Sequence, residues 1–347
     1  MILFIIRKNS IFLIVAKGFI YTTKQGQNSS PLLNDFCLML SPGVRILNFD
    51  NSLIGQSGLF ERFHPKVSDL LDIGPSARLW LNKKTEKQIK KVVSSVDRHA
   101  ITFLGSGDFH HISSLLIEQF EEPISVIVFD NHPDWDIMPP RTGCGSWVSR
   151  ILDKPNIKKV ILLGISSEDI STFNIQTGNL SSLNNGRLEI YPYLHEPTTV
   201  FFRNVPENNS IDISRKFLSS RISWKELGKN RSDEFIAGLI SGLETKRVYI
   251  SIDKDCLNPE FSLTNWEQGH LKLDELLKIL KYIKDNTDIV GMDILGDYSQ
   301  INIKGRIKSI FSRLDHPKGF AASGKPGSFI NSVNDATNIK ILELFLR

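Results

Sequence analysis

The 347-residue sequence predicts a three-layer α/β/α fold built on a mostly parallel, doubly wound sheet. Two observations carry that expectation. Short, β-branched, nearly unbroken apolar runs alternate with stretches of helical apolar spacing. This is the pattern of parallel strands buried on both faces and joined by crossover helices. The composition, 41% hydrophobic and 23% charged, supplies one large core and excludes disorder as the dominant state.

The expected strands are 44–49, 101–104, 124–129, 159–164, 199–202, 247–252 and 288–293. Helical spacing is expected over 86–96, 112–120, 233–243 and 274–283. Asp274 suits a first helical turn, where its charge meets the positive end of the dipole. The basic run KKTEKQIKK (83–91) reads as the solvated face of a helix. Residues 44–347 are expected to form a single domain with a loop-rich insertion at about 166–215. A surface loop is expected over 315–335, before a last helix.

The N-terminal 43 residues stand apart as an extension and linker. Apolar runs at 1–6 and 11–16 are broken by Arg7, Lys8 and Lys17. Each is far short of the roughly 20 residues of a spanning helix. The order apolar, basic, apolar is wrong for a secretory signal. A peripheral strand, or an extension of the reading frame, is the expectation. Residues 22–43 read as a linker.

Forty-two Lys and Arg against 38 Asp and Glu leave a net charge of +4, evenly spread, so neither a nucleic-acid partner nor a membrane is expected. Cys37, Cys144 and Cys256 form no CxxC pair, which argues against a disulfide scaffold and a structural Cys-zinc site. A reducing, cytoplasmic compartment is expected.

In such a sheet, ligands bind beyond the carboxyl ends of the strands. Three predicted strand ends carry metal-binding residue types. The run ISVIVFDNHPDWD ends in Asp130, His132 and Asp134. VYISIDKDCLNP ends in Asp253 and Asp255. ITFLGSGDFHH ends in a Gly-rich turn with Asp108, His110 and His111. In extended chain, alternate residues point to one side, so D-x-H-x-D presents three ligands together and D-x-D two. Carboxylates and imidazoles suit Mn²⁺, Fe²⁺ or Zn²⁺. Alone, a D-x-D is ordinarily a cap or a solvated loop, and His110 or His111 a satisfied histidine at a helix start. Together, at strand ends of one sheet, they point to metal. Four carboxylates repel one another unless cations neutralise them, and two divalent ions about 3.5–4 Å apart are the standard hydrolytic arrangement.

The order of a Gly-rich turn with His, D-x-H-x-D, and Ser251-x-Asp253-x-Asp255 followed by Pro259 resembles the ureohydrolase family of arginase and agmatinase. The resemblance runs from about Leu104 to Asp297. It includes Gly269 to Leu271 with the helix that follows, and the strand IVGMDIL. It implies an arginase-like fold and two divalent ions, most simply Mn²⁺. Asp130 and Asp253 would bridge them, His110 and Asp134 would complete one site, and His132 and Asp255 the other. A bridging water, acidified by both cations, would attack the trigonal carbon of a guanidino, ureido or amide group and cleave a non-peptide C–N bond. The resemblance further implies a small-molecule substrate and a homo-oligomer.

The departures from the family bear on the substrate. The turn carries an extra residue, which leaves His110, preferred, and His111 as alternative ligands. The family's Asn and His after D-x-H-x-D are replaced by RTGCGSWVSR. The glutamate that faces the substrate guanidinium after the last strand is absent, and Gly296 and Asp297 stand there. Asp297 or Glu267 is a candidate replacement carboxylate. Asp136 and Ser146 are further candidates for contact with the substrate or with a ligand, with capping of the next turn the other reading of Asp136. Asp108 reads as a support of the turn. Trp135 and Trp147 flank the expected mouth as pocket wall or ordinary packing. Cys144 and Cys256 read as small filler. Two rival readings stand: a deacetylase-like enzyme holding one Zn²⁺ with Asp130, His132 and Asp253, and a non-catalytic binding protein of the same fold.

Overall fold

The computed structural model describes residues 2–7, 10–15, 43–203, 205–230, 232–316, 322 and 324–346. The chain divides into two compact units, 1–41 and 42–347. In the first, Ile2–Arg7 and Ser10–Val15 pair as an antiparallel hairpin. The expected linker, Gly43 apart, lies outside the described residues, as does Cys37.

The second unit begins with β1 (Val44–Asn48), α1 (Ser57–Phe63), β2 (Lys66–Asp69), α2 (Gly74–Ala77), α3 (Lys83–Val93) and β3 (Ile101–Gly105). It continues with α4 (Ser113–Ile117), β4 (Ile124–Phe129), α5 (Trp147–Leu152), β5 (Ile157–Leu163), α6 (Leu180–Asn184) and β6 (Leu188–Tyr191). Then come β7 (Thr198–Phe201), β8 (Ile211–Lys216), β9 (Ser219–Trp224), α7 (Asp233–Ser241), β10 (Arg247–Asp253) and α8 (Leu273–Asn286). The last elements are β11 (Asp288–Leu295), α9 (Arg306–Asp315) and α10 (Gly327–Leu346).

Eight strands form one sheet in the order β2-β1-β3-β11-β10-β4-β5-β6. All its pairings are parallel. Alternate residues of one strand serve different cores, as burial on both faces requires. Val126 and Val128 of β4 join one core, and Ile127 and Phe129 the other. Helix α3 buries Ile89 and Val93 against the first core with its lysines outward, and Asn82 caps it by accepting from the Thr85 amide. Helix α8 buries Leu276, Leu280 and Ile283 in the second core. The expected three-layer fold is the one observed. No helix among the described residues is long and apolar enough to cross a membrane.

Four local expectations are corrected. The strand expected at 199–202 is β7, and it lies outside the main sheet: it joins an antiparallel three-stranded sheet ordered β8-β9-β7. The expected insertion is not merely loop, because β6 within it closes one edge of the main sheet. Its LEIY pattern is broken by Glu189, a buried acid made tolerable by Lys159 of β5 at 2.8 Å. The helix expected over 112–120 is shorter, a 3₁₀ turn Gly107–Ile112 leading into α4. The last helix starts at Gly327, inside the expected 315–335 loop. Its polar residues look loop-like, but Asn334 is buried and accepts from the Leu263 amide at 2.8 Å.

Asp335 of α10 caps α1 from a distance. Its two carboxylate oxygens accept from the Gly58 and Leu59 amides, each at 2.8 Å, while α1 has no side-chain cap of its own. Asp335→Ala should therefore lower stability by about 1–2 kcal/mol, read by denaturant unfolding.

Candidate metal centre

The three motifs converge where β3, β4 and β10 stop, on the central strands of the sheet. They do so by turns and not by extended alternation, which corrects the geometric expectation. Strand β4 ends at Phe129, and Asp134 has a left-handed backbone, φ 46°. Asp tolerates that region better than most residues. Asp253 closes β10, and Asp255 lies in the 3₁₀ turn Lys254–Cys256.

Two groups of possible ligands result, His110–Asp130–Asp134 and Asp130–His132–Asp255, with Asp130 common to both. His110 Nδ1 lies 3.1 Å from Asp130 Oδ2, 3.1 Å from Asp134 Oδ2 and 3.6 Å from Asp253 Oδ2. His132 Nδ1 lies 3.0 Å from Asp255 Oδ2. The turn brings His110, not His111, to the carboxylates. His111 is fully buried and burial pushes its imidazole down to about 3, so it is a neutral core residue.

Neighbouring groups aim each ligand. Tyr249, Ser251 and Ser113 all donate to the Asp293 carboxylate, at 2.7, 2.7 and 3.0 Å. Ser251 has thus committed its only proton, so at 3.0 Å it must accept from His110 Nε2–H. That fixes the tautomer and leaves the His110 Nδ1 lone pair facing the carboxylates. Trp147 donates from Nε1 to Asp134 Oδ2 at 2.7 Å. The Asp255 carboxylate accepts from the Asn131 amide at 3.0 Å, and Asp130 from the His132 amide at 2.7 Å. Gly107 and Gly296 leave room: a Cβ at Gly296 would fall 2.4 Å from Asp253 Oδ1, and one at Gly107 3.0 Å from Asp253 Oδ2.

Behind the turn, Asp108 is buried against Arg78, with His316 at 2.9 Å and Trp266 Nε1 at 3.1 Å on its other oxygen. Burial would raise the Asp108 carboxyl, but Arg78 and His316 outweigh it and hold it at about 2. Asp108 is thus the expected support of the turn.

A cavity of about 230 Å³ opens onto these residues. Its wall includes Trp135, Trp266 and Cys144, and Asp136 and Asp169 also line it. Trp266 meets His132 edge to face at 5.6 Å. Trp147 is fully buried and acts through Asp134. Cys256 is buried, and burial pushes its thiol up, so it is filler.

The candidate substrate carboxylates fare differently. Asp297 is a correction: it is fully buried, outside the cavity, bound to Lys254 Nζ at 2.8 Å and Gln56 Nε2 at 2.7 Å. Nor can position 296 carry a side chain, for want of space beside Asp253. Glu267 is exposed and absent from the cavity wall, where only its carbonyl is used, by Asn131. Ser146 is turned away, bonding Pro140 O at 2.5 Å and the Gly143 amide at 3.2 Å. Asp136 lines the cavity, with Thr177 donating to it at 2.9 Å. Burial raises its carboxyl, eased by Thr177 and raised further by Asp169.

Sequence reasoning missed Trp266, Asp169 and the roles of Asp293 and Trp147. Only Asp293 left a signal, an acid inside the apolar run IVGMDIL.

Comparison with known proteins places the fold. The arginase family model matches residues 201–303, which contain the Asp253–Asp255 motif. The arginase of Bacillus subtilis superposes with TM-score 0.52 at 13% identity, over 89% of this chain and 99% of its own. The chain has the arginase-like fold. An agmatine ureohydrolase of Thermoplasma volcanium likewise gives TM-score 0.52 at 13% identity, over 89% of this chain and 90% of its own. An uncharacterized protein of Thermotoga maritima is 26% identical over 268 residues, 75% of this chain and 81% of that one.

The donor set of the arginase-like chain fits divalent metal. All the donors are oxygen or imidazole nitrogen, no Lys or Arg lines the cavity, and Asp130 Oδ2 is buried without a hydrogen-bond partner. Without metal, protons must serve. Burial and Asp130 push Asp134 up to about 7, burial and Asp130 push Asp255 up to about 6, and the facing carboxylates hold His110 and His132 high against burial. Metal binding must expel these protons. Mn²⁺ affinity should therefore fall as pH drops from 7 through 6. Calorimetry in buffers of different ionisation enthalpy should show proton release that grows over the same range. Ser251→Ala should free the His110 ring and weaken Mn²⁺ binding about 10- to 100-fold, measured by chelator competition.

Proposed function

We propose that this arginase-like chain is a two-metal hydrolase of a small molecule, cleaving a non-peptide C–N bond in a guanidino, ureido or amide group. The observation that carries the reading is the pair of ligand groups sharing Asp130 at the base of a walled cavity. Mn²⁺ is the proposed metal, from the oxygen-rich donors and the resemblance to arginases. When bound, two such ions supply Lewis acidity and an acidified water as hydrolytic nucleophile.

The chain's own residues set the geometry for that chemistry. Ser251 and Asp293 hold the His110 Nε2 proton away from the site. Trp147 fixes the Asp134 carboxylate. Trp135 and Trp266 give the cavity an aromatic wall beside the ligands. Two groups of ligands, rather than one, favour the two-ion reading over a single-zinc deacetylase-like site.

The test is turnover. Mn²⁺-loaded protein should release urea or ammonia from at least one member of a guanidino, ureido and amide panel. Chelation should abolish that activity, and Asp130→Ala should lower it at least about a hundredfold. Activity that survives both treatments, or a fully metal-loaded chain inert to the whole panel, would sink the hydrolase reading.

A further inference from the structure

The small sheet β8-β9-β7 presents apolar residues in two opposite ways. Val200, Ile211, Ile222 and Trp224 turn inward and join the first core. By contrast, Phe217 is 97% exposed, Phe202 80%, Leu218 56% and Phe201 48%. Strand pairing gathers these four at one end of the sheet. Phe217 and Leu218 make the two-residue turn between Lys216 and Ser219, which pair with each other, and Ser219 pairs in turn with Phe201. The Phe202 amide donates to Leu218 O at 3.0 Å, which ties the turn to the end of β7. Phe202 holds its place with a left-handed backbone, φ 56°, a region that bulky residues rarely adopt. Single exposed apolar side chains are ordinary, but four contiguous ones mark a contact surface.

Cations surround this tip. Alternation and register put Lys216, Arg221 and Phe201 on the same outward face, because Lys216 and Phe201 both pair with Ser219, two residues before Arg221. Arg203 follows Phe202, and Arg215, one residue before Lys216, donates to Val205 O at 3.4 Å. All four cations are exposed, and none forms an ion pair among the described residues. The acid on the outward face of β8, Asp212, stands opposite Ser223, two register rows behind Lys216. The charge that is evenly spread along the sequence is concentrated here, because β9 brings Arg203 and Phe202 beside the β8–β9 turn.

We propose that this tip docks the protein on an anionic lipid bilayer, with Phe202, Phe217 and Leu218 entering the boundary between headgroups and acyl chains and the four cations meeting the lipid anions. Charge complementarity selects that occupant. A second copy docking by twofold symmetry would present the same patch and set cation against cation. An anionic bilayer neutralises every cation at once and buries the apolar side chains between them. Shape agrees: a ring 97% exposed projects from the surface and offers no cleft to a peptide, whereas a bilayer admits a projecting side chain. None of these residues lines the metal cavity, so the inference is independent of the hydrolase reading. It also corrects the expectation, drawn from net charge, that the chain has no membrane partner.

The test is co-sedimentation of the full chain with vesicles of equal parts phosphatidylserine and phosphatidylcholine, against vesicles of phosphatidylcholine alone. The expected affinity is at least about tenfold higher for the anionic vesicles and falls as salt is raised. Lys216→Glu with Arg221→Glu should weaken it at least about tenfold, and so should Phe217→Ser with Leu218→Ser. Phe202→Asn should weaken it too without lowering the melting temperature, because Asn tolerates the left-handed region. Phe217→Trp reads insertion directly: its added fluorescence should shift to the blue on anionic vesicles. Phe217 and Leu218 pack against little, so their variants keep the fold, checked by an unchanged melting temperature. Equal binding to both vesicles overturns the proposal. Binding that survives in the tip variants also overturns it and assigns the contact to another part of the chain, such as the apolar hairpin Ile2–Arg7 with Ser10–Val15. So does binding to heparin but not to anionic vesicles, which would make the tip a site for a soluble polyanion.

Discussion

Mutual repulsion among four buried carboxylates is the constraint on which the rest of this structure turns. Elsewhere the fold gives each buried acid a partner. Asp108 has Arg78, Glu189 has Lys159, Asp297 has Lys254, and Asp293 takes three hydroxyl donors. Asp130, Asp134, Asp253 and Asp255 share two imidazoles, the Trp147 indole and a few backbone amides, with no Lys or Arg on the cavity wall to neutralise their charge. Burial penalises each charge, and each carboxylate raises its neighbours. A cation from outside the chain resolves that conflict, and protons are the weaker substitute.

The surrounding structure serves that concentration of charge. Bare backbone at Gly107 and Gly296 lets the Asp253 loop and its neighbours approach closely. The Ser251–Asp293–Tyr249 chain and the Trp147 indole fix ring and carboxylate orientation from behind. The Arg78–Asp108–His316 cluster holds the turn from which His110 projects. The close fit at Gly296 also excludes a side chain there. Carboxylates on the cavity wall beyond the ligand groups therefore stand elsewhere, at Asp136 and Asp169.

The sheet was legible because its central strands are unbroken apolar runs, as double-sided burial demands. The ligand positions were legible because each motif begins where such a run stops. Edge strands were not: β2 reads KVSD and is largely exposed, and β6 holds Glu189, compensated by Lys159 on the neighbouring strand. The polar start of α10 was misread because Asn334 and Asp335 bond partners more than 70 residues away. Local pattern cannot distinguish His110 from His111, since both sit in one short turn and only its rotation relative to β4 and β10 decides. Asp297 looked like a ligand for substrate because its partner Lys254 lies on another strand end, and sequence order conceals that pairing.

The central claim is that this charge cluster binds two cations that share Asp130. Crystals grown with Mn²⁺ and measured at the manganese absorption edge test it most directly. Two anomalous peaks are predicted about 3.5–4 Å apart, one against His110 and Asp134, the other against His132 and Asp255, with Asp130 reaching both. A single peak, or none in fully loaded crystals near neutral pH, would contradict the account.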